Sequence, residues 1–586
     1  MLETRYRWVF PSPVTLEASF RSSAERLGLS GRLTELLAAR GLDTSTDLES
    51  FFAPIGSGLH DPHLLPDAQI FLERVRRARD AGERVLLFGD FDADGLTGLA
   101  ILAVALRHLG LQVDLYVPSR IEEGHGLSLG AVEAAIASGA RVIITVDCGT
   151  TSAAEIAVAR AAGLDVLVTD HHRVPPQLPP AHALVNPQRR DSAYPDSRLA
   201  GSGVAFKLAQ LLLDAEPGGA EIALGLADLA TIGTVADVAP ILGENRAIAR
   251  IGLDQIRRHP RPGIAAILKR AGIDRAGADL ETISFAIAPR LNAASRVGEA
   301  LDAARLLLAE DEAEATLLAE SLEVSNRSRR DLTKGAIEEA RLAVDASAAE
   351  EGAIVIRGDW PVGIVGLVAS RLAEDLARPA VVGANLGSVV RASCRSDGSL
   401  DLGATLEACA DLFTRFGGHA GAAGFELPVD RWDAFRNRFL ILAGANAQED
   451  RRRVATLDLA VPAAALDYAL LRDLASLGPC GPGNPDPLVA ILGLTVTRVR
   501  AANGGHTQLT LRRVVDVVDG IAFDRADLAE TVVEGDRLDV VGRLMSRRFG
   551  GLESLQIEIR DVAPSGSHPE AAAILGALDV AVGAIA

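Results

Sequence analysis

The sequence predicts an α/β protein: a doubly wound parallel sheet, a long helix after it, a second α/β lobe and a small C-terminal β-barrel. Three observations carry this. Short apolar runs at Val85–Phe88, Val113–Val117, Val142–Val146, Val166–Thr169 and Ala183–Val185 alternate with Ala/Leu-rich helical stretches, and strands alternating with helices imply a parallel sheet. Residues 299–346 contain no Pro and one Gly, with Leu306, Leu317, Leu318, Leu322, Leu332, Ile337 and Leu342 at roughly helical spacing. Between Val454 and Val562, strand-like segments such as Gln508–Leu511, Leu538–Val541 and Leu555–Ile559 are separated by Gly-rich turns, the pattern of a small barrel.

In order along the chain, residues 1–60 read as small helices after a Pro-rich start, with no chemistry. Residues 61–298 hold the parallel sheet. Residues 299–350 form one long helix, or two in series, that bridges two lobes. Residues 351–447 form the second α/β unit, 448–564 the barrel, and 565–586 a tail with one weak helix. A chain of 586 residues is too long for one core, and roughly three or four domains are expected. No internal repeat is visible.

Composition narrows the class. Hydrophobic residues make up 48% and charged residues 23%, ordinary for a globular protein. No apolar run approaches the roughly 18 residues of a membrane span. The start, Met1-Leu-Glu-Thr-Arg-Tyr-Arg-Trp8, carries an acid and no apolar core, so it is not a signal peptide. Cys148, Cys394, Cys409 and Cys480 lack metal-ligand spacing, which points to free thiols in a reducing cytoplasm. Positive charge is nearly all Arg, with Lys207, Lys269 and Lys334 the only lysines. The net charge of −19 argues against a nucleic-acid binder with a broad basic footprint. A cluster of metal-binding carboxylates inflates that sum, because bound cations invert its local sign, and an Arg-lined groove can coexist with an acidic exterior.

The chemistry gathers at strand ends. Val85-Leu-Leu-Phe-Gly-Asp-Phe-Asp-Ala-Asp-Gly95 runs a buried strand into Asp90, Asp92 and Asp94. Three acids so close repel unless a hard divalent ion neutralises them. The start of a calcium loop fits the same spacing, but such a loop needs a Glu at its last position, where Ile101 stands, and a helix before it. Asp147 ends the run Val142-Ile-Ile-Thr-Val-Asp147-Cys-Gly, and Asp170, His171 and His172 end Val166-Leu-Val-Thr-Asp-His-His172. Adjacent strands lie ~4.8 Å apart, so these ends can converge on one site. Asp237, in Ile232-Gly-Thr-Val-Ala-Asp-Val-Ala-Pro240, sits in an apolar context, where a buried carboxylate needs a partner such as a metal.

Together, Gly89-Asp-Phe-Asp-Ala-Asp-Gly95, Thr145-Val-Asp-Cys-Gly149, Thr169-Asp-His-His172 and Gly233-Thr-Val-Ala-Asp-Val238 resemble the four ordered motifs of the DHH phosphoesterases. Four later segments narrow the resemblance to the RecJ family of single-strand-specific 5′→3′ exonucleases. They are Phe285-Ala-Ile-Ala-Pro-Arg-Leu-Asn-Ala-Ala-Ser-Arg296, Gly363-Ile-Val-Gly-Leu-Val-Ala-Ser-Arg371, Phe416-Gly-Gly-His-Ala-Gly-Ala-Ala-Gly424 and Gly478-Pro-Cys-Gly-Pro-Gly-Asn-Pro-Asp-Pro487. The resemblance spans about Leu64 to Val562. It implies a DHH catalytic domain, a connecting helix, a DHH-associated domain and an oligonucleotide-binding (OB) barrel. The chain departs from the family pattern at Ser295, where Gly is frequent, at Cys394, where a small residue is frequent, and at Pro361, where His commonly follows the Trp.

Phosphodiester hydrolysis needs a nucleophile at neutral pH and neutralised charge on the phosphate, and two divalent ions ~3.5–4 Å apart supply both. Asp92, Asp94, Asp147, His171 and Asp237 are the expected ligands of two Mn²⁺ or Mg²⁺ ions, Mn²⁺ suiting mixed carboxylate and imidazole ligation better. Asp90 and Asp170 are expected as direct or outer partners, and His172 orients a ligand or contacts the scissile phosphate. Arg120, Arg296, Arg371, Ser393, Arg395, Gly418 and His419 are the expected substrate contacts, Arg matching phosphate oxygens with its fork. The resemblance further implies single-stranded DNA with a 5′ end as substrate, with a single-strand-binding protein and a helicase as partners, no membrane and a monomer. Two rival readings are a DHH enzyme for oligonucleotides or cyclic dinucleotides, against which the barrel argues, and a non-catalytic DNA-binding scaffold, against which the intact ligand set argues.

Overall fold

The computed structural model describes residues 2–574 except 3, 347–351, 445–451, 513, 514, 516, 550 and 551. Its contacts divide into two compact units, one of Ile55–Glu449 and one of Met1–Pro54 with Asp450–Ala586. In the tail, residues 569–574 are helical, and 575–586 lie outside the described residues.

The second of these units begins with a strand, β1 (Tyr6–Val9), where the sequence predicts only helix. Its residues alternate between exposed and buried, and Trp8 faces inward. Three short helices follow, Ala18–Arg26, Gly31–Ala39 and Ser45–Phe51.

The larger unit opens on the parallel sheet. Its strands are β2 (Arg84–Gly89), β3 (Gln112–Tyr116), β4 (Val142–Val146), β5 (Asp165–Thr169) and β6 (Ala183–Val185), in the order β3-β2-β4-β5-β6. Every pairing is parallel. Both faces are covered. Leu87, Ile144 and Val146 join one apolar cluster, and Leu86, Phe88 and Ile143 join the other. Strands buried on both faces read as continuous apolar runs, which is why they are legible in the sequence. Each fully buried Leu or Phe stabilises the sheet by ~1.5–3 kcal/mol.

The connecting segment is two helices in series, Ala300–Leu308 and Glu312–Ala346. Beyond them lies a mixed sheet of β7 (Ile354–Gly358), β8 (Ala380–Leu386), β9 (Val389–Arg395), β10 (Arg415–Gly418) and β11 (Ala422–Pro428), in the order β10-β11-β9-β8-β7. The helix Val362–Leu376 packs on it.

The smaller unit resumes at β12 (Arg453–Thr456), which pairs with β1. Then come β13 (Leu459–Pro462), β14 (Val489–Ala502), β15 (His506–Arg512), β16 (Val517–Ala522), β17 (Arg537–Phe549) and β18 (Leu552–Pro564). The pairings β14-β15-β16-β18-β17 close back on β14, a five-stranded barrel with β13 added at its side. Phe20, Leu36, Leu37, Leu48 and Phe51 share one core with Ile491, Leu511 and Ile557 of this barrel. The N-terminal helices therefore belong to the barrel and are not a free-standing segment.

One stretch, Gly219–Ala236, meets the length and mean hydropathy (1.3) of a membrane span, contrary to the sequence expectation, but 67% of it is buried inside the fold. It is broken into the helices Gly219–Leu224 and Ala227–Ala236 and carries Glu221 and Asp228. Its apolarity serves the core around the sheet.

Candidate active site

Strand register sets the site. Gly89 of β2 lies beside Val146 of β4, and Val146 beside Thr169 of β5. The next residues are Asp90, Asp147 and Asp170. Their amides continue the ladder, donating to the carbonyls of Val146, Thr169 and Val185. Three carboxylates thus leave the sheet in one row, at the C-terminal ends where the strand order reverses, the usual ligand crevice of an open α/β sheet. Asp147 adopts a left-handed φ of 63°, a conformation that costs a non-Gly residue ~1–3 kcal/mol and persists where the surroundings over-determine it.

The other acids come from helix ends. Asp92 caps the helix Ala93–His108, and its Oδ1 accepts from the N–H groups of Asp94 (3.0 Å) and Gly95 (3.1 Å). Asp94 stands in the first turn of that helix. Its Oδ2 accepts from the Gly201 N–H (2.7 Å) and its Oδ1 from the Ser202 N–H (2.9 Å), the free amides at the start of the helix Gly201–Leu213. A methyl at Gly201 would lie 2.6 Å from Asp147 Cβ, and one at Gly233 2.4 Å from Asp94 Oδ1. Glycine is what lets these helices approach the carboxylates.

His171 binds the set together. Its Nε2 lies 3.0 Å from Asp147 Oδ1 and 3.8 Å from Asp94 Oδ2, and its Nδ1 3.8 Å from Asp237 Oδ2. Three groups can each hold an ion with ligand atoms within 4.8 Å of one another: Asp147, His171 and His172; Asp94, His171 and Asp237; and Asp90, Asp92 and Asp147. Among the described residues none hydrogen-bonds Asp90 Oδ1, Asp147 Oδ1 or His171 Nε2, although all three atoms are buried. Orphaned buried oxygen and imidazole nitrogen atoms in one place are what a divalent ion requires, so the residues fit that group. Asp237 differs from expectation: it follows the helix Ala227–Ala236 with its side chain 31% exposed, so it is only partly buried.

Charge follows the geometry. Burial raises Asp90, Asp94 and Asp147 above the usual carboxylate range, with Asp147 pushed further by Asp94 and Asp92. Although its side chain is 31% exposed, partial desolvation against the site and the charges of Asp94 and Asp92 push Asp237 up to about 8. Asp170 moves the other way. Burial opposes its charge, but the hydrogen bond from His172 (2.7 Å) and the charges of both histidines hold it down. It also accepts from the N–H groups of His171, His172 and Thr150. With its oxygens so used, Asp170 braces the His pair from behind.

Three of the expected arginines gather in the larger unit. Arg120 lies over the Phe91 ring at 4.0 Å, and its Nε reaches Ser295 Oγ at 3.3 Å, so the departure at Ser295 anchors Arg120. Arg296 donates from Nη1 to the Gly363 carbonyl at 2.5 Å. Burial and the nearby Arg120, Arg329 and Arg395 push its guanidinium down to about 9. A cavity of about 560 Å³ is lined by Ser119, Arg120, Ser295 and Arg296 among others. Ser393 and Arg395 on β9 both approach Gly366, where a methyl would meet Arg395 Nη2 at 3.2 Å and Ser393 Oγ at 3.5 Å. Cys394 between them turns inward and is fully buried. Gly418 and His419 form the exposed turn from β10 to β11. Gly418 has φ 143°, and a methyl there would strike Ala423. Arg371 is not in the cluster. It pairs with Asp375 one turn on (3.1 Å), which also meets Arg341 of the long helix.

The sequence reading missed four participants. Asn292 accepts the Ala93 N–H through Oδ1 at 2.8 Å, Gly201 with Ser202 holds Asp94, and His125 places Nδ1 3.2 Å from Asp90 Oδ2. Asn292 lies inside a quoted motif. The others sit in segments without a strand-end signal.

Acids and a His pair at parallel strand ends, beside a second lobe that brings an arginine, define a member of the DHH class. Residues 84–234 match the DHH family, N-terminal domain; residues 350–441 match the DHHA1 domain; and residues 457–561 match the RecJ OB domain. The chain is similar to "Single-stranded-DNA-specific exonuclease RecJ" of Bacillus subtilis, 34% identical over 574 residues, covering 96% of this chain and 72% of the relative. The Escherichia coli protein of that name is 34% identical, over 91% of this chain and 96% of its own. The crystal structure of RecJ in complex with Mn²⁺ from Thermus thermophilus superposes with a TM-score of 0.82 at 30% identity, covering 96% of this chain and 80% of that one. A crystal structure of exonuclease RecJ bound to manganese gives 0.57 at 35% identity, over 67% and 98%. The chain belongs to the RecJ family of exonucleases.

Proposed function

We propose that this enzyme hydrolyses single-stranded DNA from the 5′ end, releasing 5′-mononucleotides in DNA repair and recombination, with two Mn²⁺ or Mg²⁺ ions as cofactors. The observation that carries the metal dependence is the buried pair Asp147 Oδ1 and His171 Nε2, 3.0 Å apart and neither with a hydrogen-bond partner among the described residues, with Asp94 and Asp237 beside it. Asp92, Asp94, Asp147, His171 and Asp237 would hold the ions, with Asp90 a further ligand. Bound there, divalent ions supply an activated water and neutralise charge on the reacting phosphate.

The chain's own groups do the rest. Asp170 holds His172 as a cation, raised to about 9 although burial opposes it, so His172 offers a charged donor to the scissile phosphate. Burial lowers Arg120, Arg296 and Arg395, with Arg395 also lowering Arg120 and both lowering Arg296, and a 5′-terminal phosphate relieves that charge crowding better than an internal diester because it carries more charge and three free oxygens. Ser393 adds a hydroxyl donor. Arg498, Arg500, Gln508, Arg547 and Gln556 line a polar cavity of about 200 Å³ on the barrel, a groove suited to backbone tracking. Phe523, 49% exposed, supplies one stacking face; the side chain of Phe549, the other sequence-predicted stacking residue, lies outside the described residues. A single-strand-binding protein and a helicase, which expose such strands, are the matching partners of a cytoplasmic monomer.

The test is digestion of one 5′-labelled and one 3′-labelled single strand with Mn²⁺, with and without chelator. Early release of the 5′ label as mononucleotide, abolished by chelator, is expected. Early release of the 3′ label reverses the polarity, and chelator-resistant release removes the metal.

A further inference from the structure

The loop between β3 and the helix Leu129–Ser138 carries Gly124-His125-Gly126, with φ of 80° and 99° at the two glycines. This left-handed backbone on both sides of His125 favours glycine, and the loop brings its ring to the row of strand-end acids. His125 Nδ1 stands 3.2 Å from Asp90 Oδ2, and its ring meets that of His172 edge-on, with centroids 5.0 Å apart. Asp90 is 2% exposed, and its other oxygen, Oδ1, has no hydrogen-bond partner among the described residues. The two oxygens of one buried carboxylate are therefore unlike: Oδ2 lies against an imidazole nitrogen, Oδ1 has no hydrogen-bond partner among the described residues, and the carboxylate stands with Asp92 and Asp147 in a group that can hold an ion. A contact on one oxygen restrains rotation of the carboxylate and so steadies the aim of the other oxygen's lone pairs.

We propose that His125 is a positioning residue of the metal centre: its Nδ1–H holds Oδ2 of Asp90, so that Oδ1 faces a divalent ion shared with Asp92 and Asp147. The proposal rests on the metal-dependent reading above and adds to it a residue that touches neither ion nor substrate. Outer partners of this kind change metal affinity by about 10–100-fold when removed.

Two variants of the full chain test it, His125→Leu, which removes the donor, and His125→Asn, whose amide N–H reaches about as far as Nδ1. Mn²⁺ is titrated calorimetrically into chelator-stripped protein without DNA, and the thermal midpoint is read on the same samples. His125→Leu is expected to weaken Mn²⁺ about 10–100-fold, with nuclease activity recovering as Mn²⁺ is raised, and His125→Asn to restore most of the affinity. Wild-type affinity in His125→Leu overturns the proposal. Equal weakening in both variants also overturns it, because the loop's shape and not the hydrogen bond then matters. Wild-type protein that degrades DNA without binding Mn²⁺ overturns the metal reading itself, an outcome distinct from the other two.

Discussion

Nδ1 of His172 lies 2.7 Å from Oδ1 of Asp170, and that contact separates two histidines that are neighbours in sequence. Burial lowers His171, leaving a neutral imidazole ready to donate its lone pair. Burial acts on His172 too, but the Asp170 hydrogen bond and charge outweigh it and raise it to about 9. Its folded pKa is raised, so the stabilisation is fully present below the ordinary 6.5 and is lost as pH rises through about 9. Metal-free protein should therefore lose thermal stability between pH 7 and 10 more steeply than His172→Gln does. Parallel melting curves for the two across that range would contradict the assignment.

Gly201 touches Asp147 where any side chain would collide, 2.6 Å from its Cβ and 2.7 Å from its Oδ1. Gly201→Ala should displace that carboxylate. A misplacement on the order of 1 Å lowers turnover by about 100-fold, and overpacking costs about 1–3 kcal/mol. Measured kcat with Mn²⁺ and a denaturant melt check both, and an active, equally stable variant would mean that Asp147 has room to move.

Arg395→Ala should remove the preference for 5′-phosphorylated over 5′-hydroxyl strands, because Arg395 belongs to the Arg120–Arg296 cluster and Ser393 lies beside it. The ratio of kcat/KM on the two strand types is the measurement, for wild type and variant. A variant that keeps the wild-type ratio moves the pocket to Arg296.

A truncation to residues 55–449 tests the barrel's contribution. Removing 454–562 alone would strip Phe20, Leu37, Leu48 and Phe51 of their packing partners, so both halves of that unit must go together. The truncated protein should keep metal-dependent hydrolysis of short strands and show a higher KM on long ones, with a smaller change in kcat. An unchanged KM on long strands would show that the barrel adds no grip.

By itself the sequence determined the elements whose signal is local. Val85–Phe88, Val142–Val146 and Val166–Thr169 are apolar on both faces and end in acids, so strands, sheet type and the ligand-bearing ends could be read from a few adjacent residues. The long connecting segment was equally plain from its leucine spacing. Tertiary structure decided what depends on residues distant in the chain. Strand register put Asp90, Asp147 and Asp170 in one row, and no single strand encodes its register with the next. The amides of Gly201 and Ser202 reach Asp94 across 107 and 108 residues. Asp375 took Arg371 out of the arginine cluster. The N-terminal helices found their apolar partners in the barrel, hundreds of residues away, and Asp237, read as buried from its apolar neighbours, is partly exposed because burial belongs to the packed fold and not to the local sequence.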